Sequence, residues 1–144
     1  MPGTATAATV YTVSMMTLEQ TEAALHRIID ALPPEVFVDL NGGVLLREEV
    51  KLSENRLADD LYVLGEYRYE HIFGRYINIY YGSMQRVYPH LSDERFVEEL
   101  ERVVKHELTH HLENRAKERD LEIEDELSLL HYYARHPLGE DNHS

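Results

Sequence analysis

The chain contains no cysteine, and its 14 lysines and arginines are outnumbered by 27 aspartates and glutamates. Without cysteine there is no disulfide framework, no thiolate zinc site and no thiol nucleophile, so any zinc must be held by histidine and carboxylate. The same absence fits a reducing compartment, and the expected location is the cytoplasm. The shortage of positive charge, a formal net charge of −13, argues against nucleic acid and anionic membrane surfaces as partners, since both are polyanions. No apolar run approaches the ~20 residues of a transmembrane helix. Residues 1–14 hold no basic residue and no sustained apolar region, so they do not read as a secretory signal. After Pro89 neither glycine nor proline recurs before Pro137, which leaves the C-terminal third without its strongest helix breakers.

What remains, 144 residues at 43% hydrophobic, is enough for one compact domain with a core. Residues 1–16 are expected to be a disordered leader, 17–136 the domain and 137–144 a flexible tail. Thr17 and Gln20 have capping-box spacing. Leu18, Leu25, Ile28, Ile29 and Leu32 then recur at helical intervals up to Pro33-Pro34, which predicts a helix over about 17–31. One further turn is expected in 35–40, a short strand from Val44, and a surface loop over 47–60. Residues 61–67 and 75–81 are rich in aromatic and β-branched residues and read as a hairpin around Phe73-Gly74. In the second strand Tyr76, Asn78 and Tyr80 alternate with Ile77, Ile79 and Tyr81. Ser92 or Asp93 caps a long helix with Phe96, Leu100, Val103, Val104, Leu108 and Leu112 on its apolar face. A soft break near Arg119-Asp120 is expected to start a last helix, with Asp120 as a possible cap.

The long helix carries His106-Glu107-Leu108-Thr109-His110, an H-E-x-x-H sequence. Side chains at i and i+4 lie one above the other on a helix, so both imidazoles can grip one metal ion. Glu107 beside the first of them can reach a water on that ion and act as general base. The expected cofactor is Zn2+ and the expected substrate a peptide or protein. A third ligand must come from a carboxylate. The glycine turn of the short-spacer motif is absent, since Glu113 and Ala116 occupy its positions. Glu113 lies one turn past His110, but three ligands from one straight helix surround an ion poorly. Asp125, from the expected last helix, is the first choice, with Glu124 and Asp120 in reserve. His111 faces ~100° away from His110 and reads as a residue packed beneath the helix or bonded to a neighbouring carboxylate. Of the ten tyrosines, most serve strand packing; Tyr80, Tyr81, Tyr132 and Tyr133 are candidates to assist an oxyanion.

The segments Leu40-Asn41-Gly42-Gly43, Leu64-Gly65-Glu66-Tyr67, Gly74 to Ser83, and His106 to Glu113 resemble those of the small bacterial zincin-like, or minimal-zincin, metallopeptidases. The resemblance spans about Thr17 to Tyr133. It implies an α+β minimal-zincin domain, with a small sheet packed on the H-E-x-x-H helix. It also implies bound zinc and peptidase chemistry, with His106 and His110 as ligands and Glu107 as base. Many relatives carry H-H-F-G-x-x-D at the motif, its aspartate being the third ligand. Here the stretch through Asn114 to Arg119 is longer, and Asp125 is the better match. The competing expectation is a zincin-fold interaction or regulatory protein that keeps metal but hydrolyses little.

Overall fold

The computed structural model describes residues 15–54 and 61–135. The expected leader up to residue 14 and tail over 137–144 lie outside them. The described chain is a small α+β fold with a three-stranded mixed sheet. Its contacts gather into two units, Met1–His111 and Leu112–Ser144, and the first contains the sheet and the H-E-x-x-H histidines.

Helix α1, Leu18–Ala31, begins as its sequence dictates. The Thr17 hydroxyl accepts from the Gln20 amide at 3.0 Å while the Thr17 amide donates to the Gln20 side chain at 2.9 Å, a reciprocal cap that satisfies two otherwise orphaned donors. Ala24, Leu25 and Ile28 are its buried face. Pro33-Pro34 ends it, a 3₁₀ turn follows at Pro34–Phe37, and Asp39 takes the left-handed conformation at φ 68°. Strand β1 is Gly43–Arg47, β2 Gly65–Glu70 and β3 Gly74–Tyr80.

The strand order β1-β3-β2 places β3 in the centre. It pairs antiparallel with β2 and parallel with β1. The alternation in β3 holds: Ile77 and Ile79 are fully buried in a core with Leu25, Met84, Leu100 and Val104, so the helices cover that face. On the opposite face Glu66 accepts from Lys51 at 2.8 Å, Tyr80 at 2.5 Å and Asn78 at 3.1 Å, and the Arg47 Nε donates to Asn78 at 3.2 Å.

Two elements differ from the sequence reading. Residues 61–64 are not part of the expected strand. Their backbone pairs locally instead, Val63 donating to the Lys51 carbonyl and Ser53 to the Leu61 carbonyl, each at 2.8 Å. A short helix α2, Tyr81–Val87, begins at the last residue of the expected strand 75–81 and was not anticipated; it forms because Ser83 and Met84 bury completely and Gly82 lies directly against the backbone of Glu48 and Glu49.

Helix α3 runs from Asp93 to Arg135 as one element. The Ser92 hydroxyl accepts from the Arg95 amide at 3.2 Å at its start. Phe96, Leu100, Val103, Val104 and Leu108 are buried as the pattern predicts, whereas Leu112 is 40% exposed. The expected break near Arg119-Asp120 is absent, and Asp120 is an interior helix residue rather than a cap. Glutamate, lysine, arginine and leucine propagate a helix well, and with no glycine or proline nothing interrupts it. Among the described residues no helix is long and apolar enough to cross a membrane.

Candidate metal centre and its base

Because α3 buries Val103, Val104 and Leu108, its next face over presents His106 and His110 to solvent, while Glu107 turns inward and is only 6% exposed. The two imidazoles stand edge to face, with ring centroids 4.7 Å apart and Nε2 atoms 3.2 Å apart. Two nitrogens at ~2.0–2.1 Å from a tetrahedral zinc lie about 3.3–3.4 Å from each other. The pair thus fits the ion to within a few tenths of an ångström, and nitrogen donors suit zinc chemically. Among the described residues no group of three His, Cys, Asp or Glu side chains forms a complete ligand set.

Glu107 sits where the first residues of β2 cross the helix. An alanine methyl at Gly65 would lie 2.7 Å from Val103 Cγ1 and 3.2 Å from Glu107 Cγ, so glycine is what lets the strand approach this closely. Burial pushes the Glu107 carboxyl above the usual carboxylate value. The charges of His106 and His110 and a hydrogen bond from the Tyr67 amide oppose that rise, and Glu66 adds to it. A cleft of 270 Å³ opens beside it between residues 62–65 and the Arg102–Glu107 stretch of α3, with His106 and Glu107 in its wall.

His111 lies fully buried beneath the motif. Its Nε2 is 2.8 Å from the Val38 carbonyl and its Nδ1 2.8 Å from the Tyr67 hydroxyl. The packing role read from its 100° offset is what the structure has.

The other sequence-predicted residues fall elsewhere. Tyr80 donates to Glu66 on the sheet face away from the helices. Tyr81 donates at 2.6 Å to the Met16 carbonyl inside the core. Neither lines the cleft, so the oxyanion role expected of them has no support in their placement: strand alternation turns one away and the start of α2 buries the other. Tyr132 is half exposed in the second unit, and the side chain of Tyr133 lies outside the described residues. Glu113, Asp120, Glu124 and Asp125 are exposed residues of α3 in the second unit. Sequence reasoning missed Gly65, Tyr67 and Arg102. Tyr67 was recoverable, since it shares strand parity with Gly65 and pairs with Ile77.

No family model matches this chain, and no curated protein does. Among solved structures the chain is similar to a conserved hypothetical protein from Thermo thermophilus. The two are 28% identical with a TM-score of 0.60, and the match covers 71% of this chain and 99% of that one. The α+β architecture therefore recurs in a second protein.

Proposed function

We propose that the protein is a zinc-dependent metallopeptidase of the minimal-zincin kind. The observation that carries this reading is the 3.2 Å approach of the His106 and His110 Nε2 atoms with the buried Glu107 carboxyl between strand and helix. His106 and His110 would hold the ion. Bound zinc would supply Lewis acidity and bring the pKa of a water toward ~7. Glu107, held by the Tyr67 amide and kept basic by its buried setting, would take the proton from the attacking water and return it to the leaving amine. β2 is an outer strand beside the cleft, which suits an extended peptide lying along its edge. Asp125 is the third ligand that the family resemblance favours, with Asp120, Glu124 and Glu113 as the other carboxylates to compare.

The test is Glu107→Gln, with zinc content and hydrolysis of a mixed peptide library measured side by side. The variant is expected to keep metal and lose at least a hundred-fold in rate, the scale of general-base catalysis. A wild type that neither retains nor rebinds zinc would remove the reading. Substituting the four carboxylates singly and titrating zinc identifies the third ligand. A second reading, a zinc-holding interaction protein with little hydrolysis, is favoured by the apolar turn between β2 and β3, where Ile72 is 85% and Phe73 63% exposed. Metal binding without any peptide cleavage would select it.

A further inference from the structure

His111 has no part in the chemistry proposed above, yet it is a fully buried titratable side chain with both ring nitrogens engaged. The Val38 carbonyl can only accept, so Nε2 carries the hydrogen. In the neutral ring Nδ1 is then the acceptor, and the Tyr67 hydroxyl is the donor. The His111 and Tyr67 rings also pack at 5.3 Å between centroids. One imidazole therefore ties the turn before β1 to β2, and does so from the helix that carries the metal motif.

The other end of Tyr67 is at the base. The Tyr80 amide donates to the Leu64 carbonyl at 2.8 Å. With Gly65 paired to Ile79 and Tyr67 to Ile77, the even-numbered residues of β2 are those that exchange hydrogen bonds with β3. The Tyr67 amide thus points to the outer edge of the sheet, two residues from Gly65, where an added Cβ would lie 3.2 Å from Glu107 Cγ. Against the rise that burial causes, the Glu107 carboxyl is held down by a hydrogen bond from that amide. Tyr67 is held by His111 through its hydroxyl and holds Glu107 through its backbone.

We infer that His111, acting through Tyr67, is a positioning residue that fixes the carboxylate of Glu107 relative to His106 and His110. The inference deepens the peptidase reading and, for its catalytic consequence, rests on it. A histidine that merely filled the core would not couple to the base. The two roles separate in Tyr67→Phe, which removes the hydroxyl but keeps the ring.

The experiment compares wild type, Tyr67→Phe and His111→Asn, with Ile28→Val as a core change remote from the pair. Zinc affinity, kcat, KM and amide hydrogen exchange are measured for each. Tyr67→Phe is expected to lower kcat about ten-fold, the scale of one lost hydrogen bond, with KM and zinc affinity within about two-fold. Its Tyr67 amide should exchange about ten-fold faster, while the Ile77 and Ile79 amides and the Ile28→Val protein keep wild-type behaviour. An unchanged Tyr67 amide in Tyr67→Phe overturns the inference, as does a kcat loss matched by Ile28→Val at equal stability. If wild type hydrolyses nothing, the peptidase reading fails, and the amide exchange still decides the positioning contact. His111→Asn, which keeps an acceptor near the hydroxyl, should fall between wild type and Tyr67→Phe in both rate and exchange.

Discussion

Replacing Gly65 with alanine would set a methyl group into the tightest approach between the sheet and the H-E-x-x-H helix. The new carbon would lie 2.7 Å from Val103 Cγ1 and 3.2 Å from Glu107 Cγ, whereas carbon atoms rest at about 3.5–4.0 Å. Val103 is 5% exposed, so its isopropyl group has nowhere to turn, and strand or helix must shift by the better part of an ångström. Overpacking on this scale costs about 1–3 kcal/mol. Removing a glycine from the unfolded chain offsets about 0.5–1 kcal/mol of that. The net loss should be about 1–2 kcal/mol, read as a lower urea midpoint at unchanged slope. Val103→Ala opens space at the same contact, so the double variant should recover about 1 kcal/mol relative to the sum of the single changes. Gly65→Ala as stable as wild type, or costs that simply add, would refute the close approach as the reason for glycine at this position.

Further outcomes can be checked directly. Zinc at about 100 times its dissociation constant should raise wild-type stability by about 2.7 kcal/mol in a thermal-shift assay, and His106→Ala or His110→Ala should abolish the shift. Glu66→Gln should cost about 1–3 kcal/mol at neutral pH. Burial raises the Glu66 carboxyl, but hydrogen bonds from Lys51, Tyr80 and Asn78 outweigh it and leave the folded value below the usual 4.5. The stabilisation is thus full above that value and lost as pH falls through the folded one. Urea curves for wild type and Glu66→Gln should therefore converge only at acid pH below 4.5. Thr17→Ala should lower stability by about 1 kcal/mol through loss of the α1 cap, with the change seen in circular dichroism melts.

Local rules wrote much of this fold into the sequence. Thr17 and Gln20 announce their cap because both partners lie within one turn. Ile77 and Ile79 reveal their face because strand parity is local. His106 and His110 converge because helical spacing alone puts them one turn apart. The parallel β1–β3 pairing was hidden, since nothing near either strand encodes it. The α2 helix was hidden too. Tyr80, Tyr81 and Gly82 look like strand and turn, and only the close contact of Gly82 with Glu48 and Glu49 makes the helix fit. The path of α3 past Asp120 was misread because aspartate caps helices as readily as it sits within charged ones. The coupling of His111 to Glu107 required Tyr67, whose importance lies in a strand edge that sequence does not display.

The sheet order has a consequence for how the molecule assembles. β2 and β3 meet across a short turn, so their pairing closes early and at small entropic cost, whereas β1 joins β3 across a much longer loop. Gly65, Tyr67, His106, Glu107 and His110 all belong to the hairpin or to the first part of α3. By the same argument α3 is the last to close, since Glu107 lies further along the chain from Gly65 than β3 lies from β1. Val38, just ahead of β1, would then be in place when His111 arrives, and the docking of one helix would bring the base, both histidines and their anchor together.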